Sequence, residues 1–338
     1  MHHLGLLISQ VVSACYAMMA DVEGQPEVML RAKLVAQLSM AGWIRTHSVA
    51  EAFESVARHV FLPGVDPAVA YADQAVVTHT AADGRPLSSS SQPTVMAAML
   101  EQLAVEQGQR VLEVGTGTGY NAALLARLVG DDGAVTTIDI DRDLVQRARG
   151  HLAAAGLPDV TVVCSDGADG WRDNAPYDRI IVTAAAADLP PAWTEQLAEG
   201  GRLVVPLSLR GVQQSVAFDS VGEHLMSVSI IDCGFMPLRG ALAGRDPVRT
   251  LGTAASDVAI RTFGVDGHSL AERLAAHIRE WDARGRPSTC ALHVRAYRQG
   301  SATGDAAITI DMPHTRFLLD WHHHERSMTS PSRGGPRH

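Results

Sequence analysis

The stretch Val111 to Ala126, VLEVGTGTGYNAALLA, gathers residue types that bring a backbone close to a ligand. Gly115, Gly117 and Gly119 permit a tight turn against a bound molecule, and a helix-forming run starts directly after them, so its unpaired N–H groups face that molecule. Two carboxylates extend the pattern. Glu113 stands two residues before the first glycine, and Asp139 lies twenty residues past the last, at the end of AVTTID, where it can accept hydrogen bonds from both hydroxyls of a ribose. Asp141, just beyond that run, is the second choice for the role. Asp166 and Gly167 in CSDGADG fall where an adenine amino group would be read. Each acid alone could be an ordinary loop residue at a strand end; three in register with a glycine loop point to a nucleoside. GxGxG spacing with an acid ahead of it favours S-adenosylmethionine over NAD, because a methyl donor has no pyrophosphate to cradle.

A second stretch, PLSSSSQPTVMAAML from Pro86 to Leu100, runs from four consecutive serines into an apolar helix. Its composition reads as a loop. Serine is a preferred N-cap, so Ser91 could simply start the helix at Pro93, and capping would also fix its hydroxyl.

The elements that must carry these residues alternate. RVLEVG, AVTTID, VTVVCSD, YDRIIVTAA and RLVVPL read as strands, while NAALLARLVG, RDLVQRARGHLAAAG and PAWTEQLAEGG read as helices. Strands joined through helices predict a parallel sheet covered on both faces and wound in the doubly wound manner, an α/β Rossmann-like fold that the family resemblance given below narrows to the class I S-adenosylmethionine-dependent methyltransferases. Two helices precede it, EVMLRAKLVAQLSMAGW and Ser48 to His59. QQSVAFDSVGEHLMSVSIID predicts two strands about a turn as an antiparallel edge. Beyond about Arg239 the pattern weakens into one amphipathic helix, SLAERLAAHIREWDARG, and strands in ALHVRAYR, DAAITIDM and TRFLLDW. The organisation expected is therefore an N-terminal segment 1–25, a catalytic domain 26–240, a small α+β extension 241–321 and a disordered tail 322–338.

Composition excludes several classes. With 338 residues, a net charge of -9 and a pI of about 5.9, the chain has no general attraction for phosphate backbones or anionic lipid, so neither nucleic acid nor membrane is an expected partner. Cys15, Cys164, Cys233 and Cys290 show no CxxC spacing, which suits reduced thiols in a cytoplasm. Leu4 to Met19 is apolar, but no Lys or Arg precedes it and polar residues interrupt it; Met18 and Met19 offer alternative starts. His314 and His322 to His324 are poorly disposed as ligands, and no metal is expected.

The blocks RHVFLPG, AYADQAVV, SSSSQPTVMAAMLEQL, VLEVGTGTGYNAALLA and APYDRIIVTAAAADLPPAWTEQLAEGGRLVVPL, in that order from about Leu30 to Gly240, resemble the protein-L-isoaspartate O-methyltransferase family. That resemblance implies methyl transfer from S-adenosylmethionine, leaving S-adenosylhomocysteine, to the carboxylate of an isomerised aspartate in a peptide or protein. It places Glu113, Gly115, Gly117, Asp139, Asp166 and Gly167 at cofactor positions, with Thr116, Gly119, Tyr120, Asn121, Ile140 and Thr183 beside them. Repair enzymes of the family carry Thr-Ile-Ser-Gln/Ala-Pro where this chain has Ser89 to Pro93. By that match Ser91 contacts the substrate carboxylate, Ser89 supports it, and Ser88, Ser90, Gln92 and Asp73 complete the substrate side. Ser90 departs from the hydrophobic residue of the pattern.

Repair enzymes stop soon after the sheet, whereas this chain continues for about a hundred residues past Gly240. SSSSQP, GFMPLRG and the ending LHVRAYR to PHTRFLLDW resemble actinobacterial relatives that tailor ribosomally made lanthipeptide, lasso or graspetide precursors. In those, an ordinary aspartate is esterified and loses methanol to give an aspartimide. The extension is then expected to recognise substrate, with Trp281 and Trp321 as contact anchors, or else to act as a lid or dimer surface. Two other readings compete. A small-molecule carboxylate methyltransferase would share the cofactor loop without needing the serine block, and a binding module with a relic fold would bind no S-adenosylmethionine. A base-modifying enzyme is disfavoured because VTAAAADLPP replaces the Asn/Asp-Pro-Pro-aromatic run.

Overall fold

The computed structural model describes residues 26–209, 212–243, 292–301, 306 and 308–321. Calls on residues 1–25, on the helix at 269–285 with Trp281, on Cys290 and on the tail from His322 lie outside the described residues.

Helix α1 (Pro26–Met40) and α2 (His47–Ser55) open the chain, followed by a 3-10 turn at Arg58–Phe61 and the short α3 (Pro67–Ala70). The helix expected from Ser48 to His59 ends at Ser55, because Val56 turns extended and the chain re-enters a tighter turn at Arg58. Strands β1 (Val76–Thr80) and β2 (Pro86–Ser90) form an antiparallel hairpin, and α4 (Pro93–Leu103) follows. The first three serines, Ser88 to Ser90, are thus strand rather than the loop their composition suggests, since VVTHT supplies a β-rich partner, and Ser91 follows just beyond the strand.

Next come β3 (Arg110–Val114), α5 (Tyr120–Val129), β4 (Ala134–Asp139), α6 (Arg142–Ala154), β5 (Thr161–Cys164), β6 (Tyr177–Val182) and α7 (Pro191–Gln196). Helix α7 is shorter than read, because Leu197 turns extended and enters β7 (Leu197–Leu209) opposite Tyr177. Strands β8 (Val212–Val221), β9 (His224–Asp232), β10 (Leu292–Arg298), β11 (Ile308–Asp311) and β12 (Thr315–Trp321) complete the described elements.

Ten strands make one sheet in the order β11-β12-β10-β9-β8-β7-β6-β3-β4-β5. The β7-β6-β3-β4-β5 portion is parallel, and chain order reverses on either side of β3, the position at which open α/β sheets bind ligands beyond their carboxyl ends. Alternation in β3 sorts the core: Val111 packs with the cluster under α1, α2, α4, α5 and α6, while Leu112 and Val114 join the cluster on the opposite face. That second cluster also contains Val294, Ala296, Phe317 and Leu319. The described strands of the extension therefore share the main core, and β9, expected at an edge, is interior because β10 pairs with it through Arg295 and Met226. Among the described residues no helix is long and apolar enough to cross a membrane.

Candidate active site

A cavity of about 720 Å3 opens at the carboxyl ends of β3, β4 and β6, walled on its other side by the serine hairpin. Gly115 has φ +105°, and a methyl group built on it would meet Thr183 Oγ1 at 2.5 Å, so only glycine lets the loop after β3 pass beneath β6. Thr183 fastens that loop by donating its hydroxyl to the Gly115 carbonyl at 2.7 Å. Gly117, at φ +52°, approaches the hairpin: a methyl group there would lie 3.8 Å from Ser88 Oγ and 3.9 Å from the Ser89 carbonyl. Glycine loop and serine strand are therefore adjacent walls of one chamber.

Glu113 is 0% exposed. Its carboxylate accepts from Asn121 Nδ2 at 2.8 Å and Thr137 Oγ1 at 2.5 Å, and Thr137 is in turn 2.8 Å from Thr116 Oγ1. Burial raises its pKa from the ordinary 4.5 to about 7, against the two hydrogen bonds, which favour the charged form. Asp139 ends β4 with its carboxylate accepting from the backbone N–H groups of Gly117 at 3.1 Å and Asp141 at 3.0 Å, and burial raises its pKa as well. Ile140, partly exposed, gives the mouth an apolar rim, and Gly167 lines the wall where a side chain would strike Val114.

The hairpin register sets Ser90 opposite Val76 and Ser89 opposite Val77. Ser88 Oγ accepts from Thr78 Oγ1 at 3.3 Å, whereas the Ser90 hydroxyl, on a residue 4% exposed, has no hydrogen-bond partner among the described residues. Ser89 and Ser91 are half-buried, and all four serines and Gln92 line the cavity.

Most of the residues expected at the site meet there: Ser88 to Gln92, Glu113, Gly115, Thr116, Gly117, Tyr120, Asn121, Asp139, Ile140, Gly167 and Thr183 all face one space. Three expected residues, Gly119, Asp166 and Asp73, stand just outside that lining. Gly119 does not line the cavity; it begins α5 where a side chain would crowd Ala148 of α6. Asp166 also lies off the lining, its two oxygens accepting from the Ala168 and Ala241 amides, so it anchors a following turn. Asp73 is exposed and away from the cavity, accepting from the Thr94 amide at 2.8 Å, the Thr94 hydroxyl at 2.7 Å and Gln92 Nε2 at 3.1 Å. It thereby holds the start of α4, a task expected of Ser91; Gln92 is the N-cap residue, and its side chain makes no capping bond to the helix. The extension's described strands supply no lining residue.

Sequence reasoning missed the strap Gly234–Arg239, which closes one side of the cavity. It crosses β6's end through Ala185, whose amide donates to the Met236 carbonyl and whose carbonyl accepts from Leu238. Arg239 then pairs with Asp139 at 3.5 Å and Asp141 at 3.2 Å. No motif ties an arginine a hundred residues downstream to those acids.

The family model for Protein-L-isoaspartate(D-aspartate) O-methyltransferase (PCMT) matches residues 29–243. Protein-L-isoaspartate O-methyltransferases of Ignicoccus hospitalis and Methanococcus maripaludis are 38% and 35% identical over 207 and 212 residues, each match covering 61% of this chain and 95% or 94% of the relative. The Thermotoga maritima enzyme is 38% identical over 170 residues, with this chain spanning only 53% of its length. One solved protein-L-isoaspartate O-methyltransferase superposes with a TM-score of 0.59 at 33% identity, covering 63% of this chain and 67% of that one. A Plasmodium falciparum structure of the same description, in complex with S-adenosyl-L-homocysteine, shares the fold at a TM-score of 0.54 and 20% identity, over 61% of this chain and 97% of that one. A class I S-adenosylmethionine-dependent methyltransferase sheet, a glycine loop after its first strand and a family match across the whole described catalytic region agree, and the chain belongs to the protein-L-isoaspartate(D-aspartate) O-methyltransferase family.

Proposed function

We propose that the chain methylates the free α-carboxylate of an isoaspartyl residue in a peptide or protein, using S-adenosylmethionine. The observation that carries this reading is the shared chamber, in which the serine strand stands so near the cofactor loop that a methyl group on Gly117 would touch it. Its volume suits a nucleoside with its amino-acid part beside a substrate side chain. The donor set also fits: Asp139 retains acceptor capacity for ribose hydroxyls, Glu113 supplies a buried carboxyl that loses its proton near neutral pH, and the Ser90 hydroxyl, without a partner among the described residues, awaits a polar group. S-adenosylmethionine bound there would supply an electrophilic methyl group on a sulfonium.

Little acid–base chemistry is required, since the carboxylate is already anionic at neutral pH. One carboxylate oxygen attacks the methyl carbon while the carbon–sulfur bond breaks and its electron pair stays on sulfur. In this reading Ser91 Oγ donates to the other oxygen and fixes the line of attack, Ser89 supports the same carboxylate, and the closed walls exclude water. Incubation with S-adenosylmethionine and an isoaspartyl peptide should add one methyl group by mass, while the matched normal aspartyl peptide stays unmodified. No transfer to the isoaspartyl peptide refutes the assignment.

A second reading rests on Ser90. A buried hydroxyl with no partner, where repair enzymes carry a hydrophobic residue, favours a substrate with its own polar group at that point, such as a ribosomally made precursor whose aspartate is esterified and closes to an aspartimide. In that case a cyclised precursor gains one methyl and then loses methanol, for a net loss of water, and the generic isoaspartyl peptide is ignored.

A further inference from the structure

Arg58 is 0% exposed and does not line the cavity, yet three of the groups it touches do. Its Nη2 donates to the Ser91 carbonyl at 2.9 Å, its Nη1 contacts Met96 Sδ at 3.4 Å, and its guanidinium carbon lies 5.0 Å from the centre of the Tyr120 ring. The remaining donor, Nε, reaches the Ala70 carbonyl at 2.8 Å. One planar fork therefore joins α3, the end of the serine strand, α4 and the first residue of the cofactor helix α5.

The partners are two carbonyls, a thioether and a ring. Among the described residues no carboxylate pairs with this guanidinium, and Asp73, the nearest acid it feels, has its oxygens on Thr94 and Gln92. A buried charge without a counter-ion is a poor device for stability, for which an apolar side chain of similar volume would serve better. It is a good device for geometry, because a rigid fork fixes the main chain at Ser91 and so the direction of its hydroxyl. It also keeps a positive charge one layer behind the place where an anion must bind.

We infer that Arg58 is a positioning residue that acts through Ser91, its fork setting turnover and its charge setting affinity for the substrate carboxylate. This rests on the reading that Ser91 meets that carboxylate. The two roles separate kinetically. Methyl transfer from a sulfonium to a carboxylate cancels two charges, so a nearby positive charge helps binding more than it helps the chemical step.

The test uses the full chain, S-adenosylmethionine and an isoaspartyl peptide, assayed below the melting temperature of each variant with saturating donor. Arg58→Lys keeps the charge but not the fork, and should lower kcat at least tenfold with peptide KM within about twofold of wild type. Arg58→Gln should lower kcat similarly and also raise peptide KM several-fold. Donor affinity, read by calorimetry without peptide, should stay within about twofold in both. The decisive comparison repeats Arg58→Lys in a Ser91→Ala background, where its effect on kcat should shrink below about twofold. An equal loss in both backgrounds, or wild-type kcat in Arg58→Lys, overturns the role of Arg58 while leaving the methyl-transfer reading intact. A wild-type protein that transfers nothing to the peptide overturns that reading and this role with it.

Discussion

Glu113→Gln tests the electrostatics of the cofactor wall through protein stability. The wild-type carboxyl is fully buried, and its pKa rises from the ordinary 4.5 to about 7 on folding. A raised folded-state pKa means the native protein holds this proton more tightly than the unfolded chain does. Stability from this group is full below about pH 4.5 and is lost as pH rises toward 7. By pH 8 the difference amounts to about 3 kcal/mol, and at pH 5 it is below about 1 kcal/mol. Glutamine is neutral at both and preserves the local bonds, its oxygen accepting from Asn121 and its amide donating to Thr137 Oγ1. In the absence of ligand, Glu113→Gln should therefore melt close to wild type at pH 5 and higher than wild type by on the order of 5 °C at pH 8, measured by calorimetry with one buffer ionic strength. The same change removes the buried anion, so S-adenosylmethionine affinity should fall. A gap between the two proteins that does not widen with pH, or that closes, would refute the reasoning, since it would mean the carboxylate is hydrated or paired in solution.

Ser91→Ala should reduce turnover roughly 10- to 100-fold, as expected for one hydrogen bond to a charged group, with donor affinity nearly unchanged by calorimetry; collapse of donor binding would remove the serine from the substrate side. Asp139→Asn should weaken donor binding by roughly the same 10- to 100-fold, and the ligand-free melting temperature should hold because burial already disfavours that charge. Asp73→Ala should cost about 1 kcal/mol, a few degrees of melting temperature, through loss of the bonds at the start of α4, and change turnover by less than about threefold.

What the sequence discloses is what local pattern controls. The glycine loop, Asp139 and the alternation of strands and helices are legible because each depends on neighbours within a turn or a strand, and the order of strands around β3 follows from how crossovers wind. The serine run was only half legible. Its pairing with Val76–Thr80 makes it a strand, and four small polar residues carry no β signal of their own. Which acids reach the ligand was harder still. Asp139 and Asp166 look equivalent as strand-end carboxylates, and each has both oxygens on backbone amides, Asp139 on Gly117 and Asp141, Asp166 on Ala168 and on Ala241 from a segment 75 residues away in sequence.

Arginine is where long-range packing dominates. Arg58 and Arg239 sit in RHVFLPG and GFMPLRG, blocks that mark resemblance but give these arginines no role, and both contact groups distant in the chain, Arg58 the Ser91 carbonyl and Arg239 Asp139 and Asp141. Their placement is opposite in kind. Arg239 is partly exposed and paired with two carboxylates, so water and counter-charge both offset the cost of its charge. Arg58 is buried with each of its three donor nitrogens engaged, so any displacement leaves a desolvated charge and an unsatisfied carbonyl at Ser91. The strap beside Asp139 therefore carries a solvated, paired cation, and the end of the serine strand rests on a buried one, unpaired among the described residues. That asymmetry suits a chamber that must exchange a donor for its product on one side while keeping a single hydroxyl aimed on the other.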